Sequence, residues 1–125
     1  LMDRSVCDEE SGRDFLTGRG VSSGKLTGEV IKITDMRTVS LKDVKDKIIA
    51  AYSTDPGWFL LLDVAKGILA ERGSLLSHTA IVARELKKPA VVGITDLMSQ
   101  IRSGDIVELD GDKGYCKIKR ESKIE

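Results

Sequence analysis

Cysteine is scarce in this 125-residue sequence, and the two that occur, Cys7 and Cys116, lack the paired spacing of a zinc site or a redox-active dithiol. Cys7 falls in a polar stretch, whereas Cys116 shares strand parity with Ile118 and reads as a small core residue of a reducing compartment. An excess of charge is lacking too: 20 Lys and Arg balance 20 Asp and Glu, so no bulk field recruits nucleic acid or an acidic lipid surface. The longest apolar stretches, Trp58 to Leu62 and Ala90 to Ile94, fall well short of the roughly 18 residues that a membrane-spanning helix needs. No basic segment followed by an apolar one opens the chain, so the default expectation is a cytoplasmic location. A Gly-rich, Lys-bearing nucleotide loop is also missing, which argues against nucleotide activation by this chain alone.

What is present suits one domain with a real core, at 41% hydrophobic and 32% charged residues. Residues 1–19, polar and dotted with glycine, read as a flexible tail or linker, residues 20–118 as the domain, and 119–125 as a polar C-terminal tail. Val30, Ile31 and Ile33 after Gly28 predict a strand, and Lys47 to Tyr52 a second. Pro56 and Gly67 bracket a helix near 56–66, whose core stripe is Trp58, Leu61, Leu62 and Ala65. Phe59 and Leu60 fall outside that stripe. Strands at Gly67 to Glu71 and Ala90 to Gly93 then alternate with helices at Ser77 to Leu86 and Asp96 to Ile101. IVELD and GYCKI close the chain as a β-hairpin. The pattern is that of an α/β domain with a mixed sheet.

The single histidine, His78, lies in ERGSLLSHTAIVARELKKPAVVG. An apolar-periodic run begins just after it, and Lys87, Lys88 and Pro89 end that run, so Ser77 and His78 stand at a helix N-terminus. Free backbone N–H groups and a partial positive charge converge there, a setting that holds an anion and suits a nucleophilic imidazole. Ser77 and Thr79 flank the ring with hydroxyls, and Gly73 keeps the approach open. Arg84, seven residues after Ser77, shares nearly the same helical face and can reach an anion or pair with Glu85 or Glu71. A lone histidine at a helix start is, by itself, more often a cap or a surface residue.

The order of residues around His78 resembles the phosphohistidine segment of the phosphoenolpyruvate-utilising enzymes, the family of phosphoenolpyruvate synthase, pyruvate phosphate dikinase, enzyme I of the sugar phosphotransferase system and rifampicin phosphotransferase. Gly73, Ser77, His78, Ala80, Ile81, Ala83, Arg84, Glu85 and the run Pro89 to Gly93 follow its pattern in order. Thr54 to Trp58 resembles its Thr-x-Pro element, Gly104 to Gly114 its closing hairpin, and the stretch from Gly20 its domain entry. Leu76-Ser77-His78 is nearer to the synthase and rifampicin phosphotransferase branches than to those with Thr-Ser-His. Ser74 departs from the pattern, standing where a second glycine is usual; this matters only if position 74 needs positive φ.

The resemblance implies a swivelling β/β/α domain whose histidine commutes between sites. His78 would be phosphorylated, through Nε2, by an ATP-binding partner domain or by phosphoenolpyruvate, and would pass the phosphoryl group to an acceptor such as pyruvate. Thr54, Gly73, Ser77, Thr79 and Arg84 would support that group. No cofactor or metal is expected on this domain itself, ATP and Mg²⁺ being expected on partner domains in the same polypeptide or in trans. The chain would then be a fragment or a small carrier subunit, inactive in isolation. Phe59, Leu60, Leu75 and Leu76 are expected either to form a docking rim or to pack against the sheet. The alternatives are a non-catalytic swivelling module and a regulatory phosphoprotein of the same fold.

Overall fold

Runs of small and β-branched residues without polar interruption, such as IIAA, GILA and AVV, are what strands covered on both faces require. The computed structural model describes residues 15–119 and places these runs at the centre of an eight-stranded mixed sheet. Its strands are β1 (Phe15–Thr17), β2 (Arg19–Ser22), β3 (Lys25–Ile33), β4 (Ile48–Ala51), β5 (Gly67–Ala70), β6 (Ala90–Val92), β7 (Ile106–Asp110) and β8 (Tyr115–Ile118). The helices are α1 (Leu41–Val44), α2 (Phe59–Val64), α3 (His78–Leu86) and α4 (Leu97–Gln100).

The spatial order is β1-β8-β7-β3-β4-β5-β6-β2. β3 is the seam: Lys25 to Glu29 pair antiparallel with β7, and Val30 to Ile33 pair parallel with β4. From there β4, β5 and β6 continue in parallel, with Ala51 opposite Ala70 and Leu69 opposite Val91. Their C-terminal ends therefore share one edge of the sheet, where connecting loops converge.

Alternation along the central strands divides the core between two faces. Ile49 and Ala51 pack with Leu62, Ala65, Ala80 and Ala83 from α2, α3 and their flanks. Ile48 and Ala50 face the other way, toward Leu97, Ile101, Leu109 and Cys116. The predicted stripe of Trp58, Leu61, Leu62 and Ala65 is buried, although its helix is shorter than 56–66. Asp55 caps a 3-10 turn at Pro56–Trp58 by accepting from Gly57 N at 2.9 Å, and only then does α2 begin. α1 was not foreseen. It is one turn held by a capping box in which Ser40 Oγ accepts from Asp43 N and Asp43 Oδ2 accepts from Ser40 N.

The boundary placed at residue 19 needs correction. β1 pairs with β8 and β2 with β6, so Phe15 to Arg19 belong to the sheet, while residues 1–14, with Cys7, and 120–125 lie outside the described residues. Only Gly18 joins β1 at one end of the strand order to β2 at the other, and its N–H donates to Gly114 O at 2.9 Å. The two edges of the sheet consequently meet. The approach is so close that a Cβ on Gly20 would collide with the Gly111 carbonyl, and one on Gly111 with that of Ser22. The predicted closing hairpin is present, with four linking residues; Asp110 Oδ1 accepts from the N–H of both Asp112 and Lys113 at 2.9 Å.

Two outcomes follow from this core. Leu62→Ala, which opens a hole between α2 and the sheet, should cost about 2–5 kcal/mol in urea unfolding, and a loss within error of zero would contradict the packing described. Burial pushes the Cys116 thiol up to about 12, so thiolate is scarce at ordinary pH. In a Cys7→Ser background, Cys116 should resist an aromatic disulfide reagent at pH ~8 in the native state and react on denaturation; rapid native labelling would show that the site is open.

Candidate functional site

Two loops leave the common edge of the parallel strands, one after β4 and one after β5. Beyond the strands the ladder continues, Glu71 N donating to Ala51 O at 2.9 Å and Arg72 N to Tyr52 O at 2.8 Å, which zips the loop entrances together. Gly73 then turns the chain at φ +139°, a conformation L side chains rarely adopt. A Cβ there would stand 3.0 Å from Ser77 Oγ and 3.1 Å from Val92 Cβ, so glycine serves both the turn and the close approach of β6. Ser74 does not take a positive φ. Its carbonyl instead accepts from Ser77 N at 3.1 Å and from Ser77 Oγ at 2.8 Å, so the loop accommodates this departure from the usual second glycine.

Ser77 caps α3, its Oγ accepting from Ala80 N at 3.4 Å, and His78 is the first helical residue. Among the described residues nothing accepts from the backbone N–H of His78 or Thr79, as expected of a first helical turn. The other end closes with Lys87 in the left-handed region at φ 59°, and Lys88 N donates to Ala83 O.

The imidazole is half-buried, and Thr54 Oγ1 lies 2.9 Å from its Nδ1. Thr54 Oγ1 also lies 2.7 Å from Thr79 Oγ1, and Thr79 is buried beneath it. Three side chains, Thr54 from the loop after β4 and His78 and Thr79 from the first turn of α3, thus form a relay that holds the ring by one nitrogen and leaves Nε2 without a bond to the described residues.

An open cavity of about 320 Å³ contains His78 together with Thr54, Gly73, Ser77 and Thr79, all expected at the site. Tyr52, Ser53 and Arg72 complete its lining and were not expected. The strand-end positions of Tyr52 and Arg72 carried no local motif; only the parallel pairing of β4 and β5 makes them neighbours. Arg84 is elsewhere. Its Nη1 donates to Val21 O at 3.1 Å and its Nη2 to Leu75 O at 2.7 Å, and it lines a separate cavity with Gly20, Lys87 and Asp112. It pairs with neither Glu85 nor Glu71; Glu71 Oε1 accepts from Met98 N at 3.0 Å.

Phe59, Leu60, Leu75 and Leu76 are exposed by 43%, 63%, 46% and 81%, which excludes their packing against the sheet. Among the described residues no helix is long and apolar enough to cross a membrane, and no three His, Cys, Asp or Glu side chains converge as a metal site.

The profile of the mobile domain of PEP-utilising enzymes matches residues 44–114. The prodigiosin synthesizing transferase PigC of Serratia marcescens is 36% identical over 93% of this chain and 13% of its own length. Rifampicin phosphotransferase of Bacillus cereus is 37% identical over 84% of this chain and 12% of its own, and phosphoenolpyruvate synthase of Aeropyrum pernix 33% identical over 82% and 13%. The chain thus spans about an eighth of the length of these relatives. Among solved structures, Enzyme I in its solution NMR form superposes with a TM-score of 0.56 at 32% identity, covering 67% of this chain and 35% of that one. Aconitase X of Thermococcus kodakaraensis reaches a TM-score of 0.67 over 85% of this chain and 98% of that one, but at 22% identity the likeness is one of fold alone. By this profile match and these relatives, the chain belongs to the family of PEP-utilising enzyme mobile domains.

Proposed function

We propose that this chain is the phosphoryl-carrying domain of a phosphotransferase and that Nε2 of His78 is the carrying atom. The observation that supports this most directly is the contact between Thr54 Oγ1 and His78 Nδ1, which leaves the opposite nitrogen of a half-buried ring as the available nucleophile. In this reading Nδ1–H donates to Thr54 and the Thr54 hydroxyl donates to Thr79, so the relay selects the tautomer with a lone pair on Nε2.

That lone pair attacks the phosphorus of a donor, ATP or phosphoenolpyruvate. An N–P bond forms, the donor P–O bond breaks, and the leaving oxygen takes the electron pair. Positive charge that develops on the ring is eased through Nδ1–H toward Thr54. An acceptor such as pyruvate reverses the step: once a base of the acceptor site has taken a C3 proton, the enolate oxygen forms the new P–O bond, the N–P bond breaks and its electron pair returns to Nε2. The free N–H groups of His78 and Thr79 at the start of α3 favour the dianion between the two events.

Ser77 and Thr79 support the phosphoryl group indirectly in this scheme, Ser77 by shaping the loop and Thr79 by fixing Thr54. Arg84 acts at one further remove, tying the Leu75 carbonyl and β2 to α3. ATP and Mg²⁺ would be held by a partner domain, in the same polypeptide or in trans, with the exposed Phe59, Leu60, Leu75 and Leu76 forming part of the rim that docks on it.

Incubation with such an ATP-binding partner, or with phosphoenolpyruvate and its enzyme domain, should add one acid-labile phosphoryl group by intact mass, absent from His78→Ala. An adduct that survives this substitution would refute the carrier assignment. Thr54→Val, which keeps the shape and deletes the hydroxyl, should slow phosphorylation about tenfold and, because it strands the buried Thr79 hydroxyl, cost about 1–3 kcal/mol of stability; an unchanged rate in the folded variant would remove the relay from the mechanism.

A further inference from the structure

We infer that Arg72, presented by Tyr52, is the cation that receives the phosphoryl dianion beside His78. The inference rests on the carrier reading of His78 and adds to it the source of fixed positive charge.

The cavity around the imidazole has hydroxyls, backbone and ring, but only one permanent charge: Arg72 is its sole Lys or Arg, and no Asp or Glu lines it. A phosphoryl group carries close to two negative charges, whereas a helix N-terminus supplies roughly half a positive one. The site therefore needs a cation, and the arginine of the sequence motif, Arg84, is committed to two backbone carbonyls and lines a different cavity.

Arg72 is suited to the task in three ways. Its backbone is fixed, because Arg72 N donates to Tyr52 O at 2.8 Å where the β4–β5 ladder runs on beyond the strands. Its side chain is aimed by a neutral partner: Nη1 donates to the Tyr52 hydroxyl at 3.0 Å, and the guanidinium carbon lies 5.7 Å from the centre of the tyrosine ring. Its charge is unspent, for among the described residues it pairs with no carboxylate. A guanidinium has five N–H donors, so binding to one phenol oxygen leaves a fork for bidentate contact with phosphate oxygens. The ligand class is thus a tetrahedral oxyanion, on His78 or arriving free.

The chain's single histidine provides one ring resonance to follow. Titration with inorganic phosphate, read by NMR on the His78 ring, gives the affinity of the cavity. Phosphoramidate, a small donor that needs no partner domain, gives the rate of phosphorylation by intact mass. Arg72→Gln should weaken phosphate binding and slow labelling, each about tenfold. Arg72→Lys should stay within about threefold of the wild type, because it keeps the charge but loses the fork. Lys117→Gln, the same charge change on the far strand β8, should alter neither. Wild-type binding and rate in Arg72→Gln, or equal losses in the Lys and Gln variants, would overturn the role given to Arg72 while His78 remained the carrier. Label that persists in His78→Ala would instead defeat the underlying carrier reading.

Discussion

A single hydrogen-bonding hydroxyl, Thr54 Oγ1, connects the ring of His78 to the loop that leaves β4. It bridges residues 24 positions apart in sequence and touches both the ring nitrogen Nδ1 and the buried Thr79 hydroxyl. Its placement follows from strand pairing. With Ala51 opposite Ala70, the chain emerges from β4 and β5 at the same height, and the two further backbone bonds to Glu71 and Arg72 carry that alignment into the loops. A one-residue slip in this register would exchange the side chains packed on the two faces of the sheet and would separate Thr54 from the ring. The central strands resist such a slip because each face is close-packed against a different set of side chains, α2 and α3 on one side and Leu97, Ile101 and Leu109 on the other.

The site is consequently rigid below and open above. Gly73, Ser77 and the start of α3 are tied to β6 and to one another, whereas the ring edge, Arg72 and the flanking leucines face outward. This arrangement fits a group that visits more than one catalytic surface: positions are set by the scaffold, and access is left to whatever docks.

The two arginines show how local pattern and tertiary placement differ. Arg84 shares a helical face with Ser77, and periodicity alone brings it toward the anion end of α3. In the folded chain the nearer acceptors are the carbonyls of Val21 and Leu75, supplied by β2 and the preceding loop, neither of which helical periodicity describes. Arg72 sits in an unremarkable strand exit and reaches the cavity only because β4 delivers Tyr52 beside it. The edge strands were hidden for the same reason. FLT and RGVS are too short to declare themselves, and their partners, Cys116 and Val91 among them, lie about 70 to 100 residues away.

By itself the sequence determined the features that depend on near neighbours: the cap at Ser77, the turn at Gly73, the buried parallel strands, the closing hairpin and the family to which His78 belongs. These are set by backbone conformation, helix capping and hydrophobic alternation within a few residues. Tertiary structure decided which charge and which hydroxyls surround the ring, where the sheet's edges meet and which leucines remain outside. Those outcomes depend on register between distant strands, because a hydrogen bond such as that of Thr54 requires its partners within about 3 Å, and no short-range pattern encodes that distance.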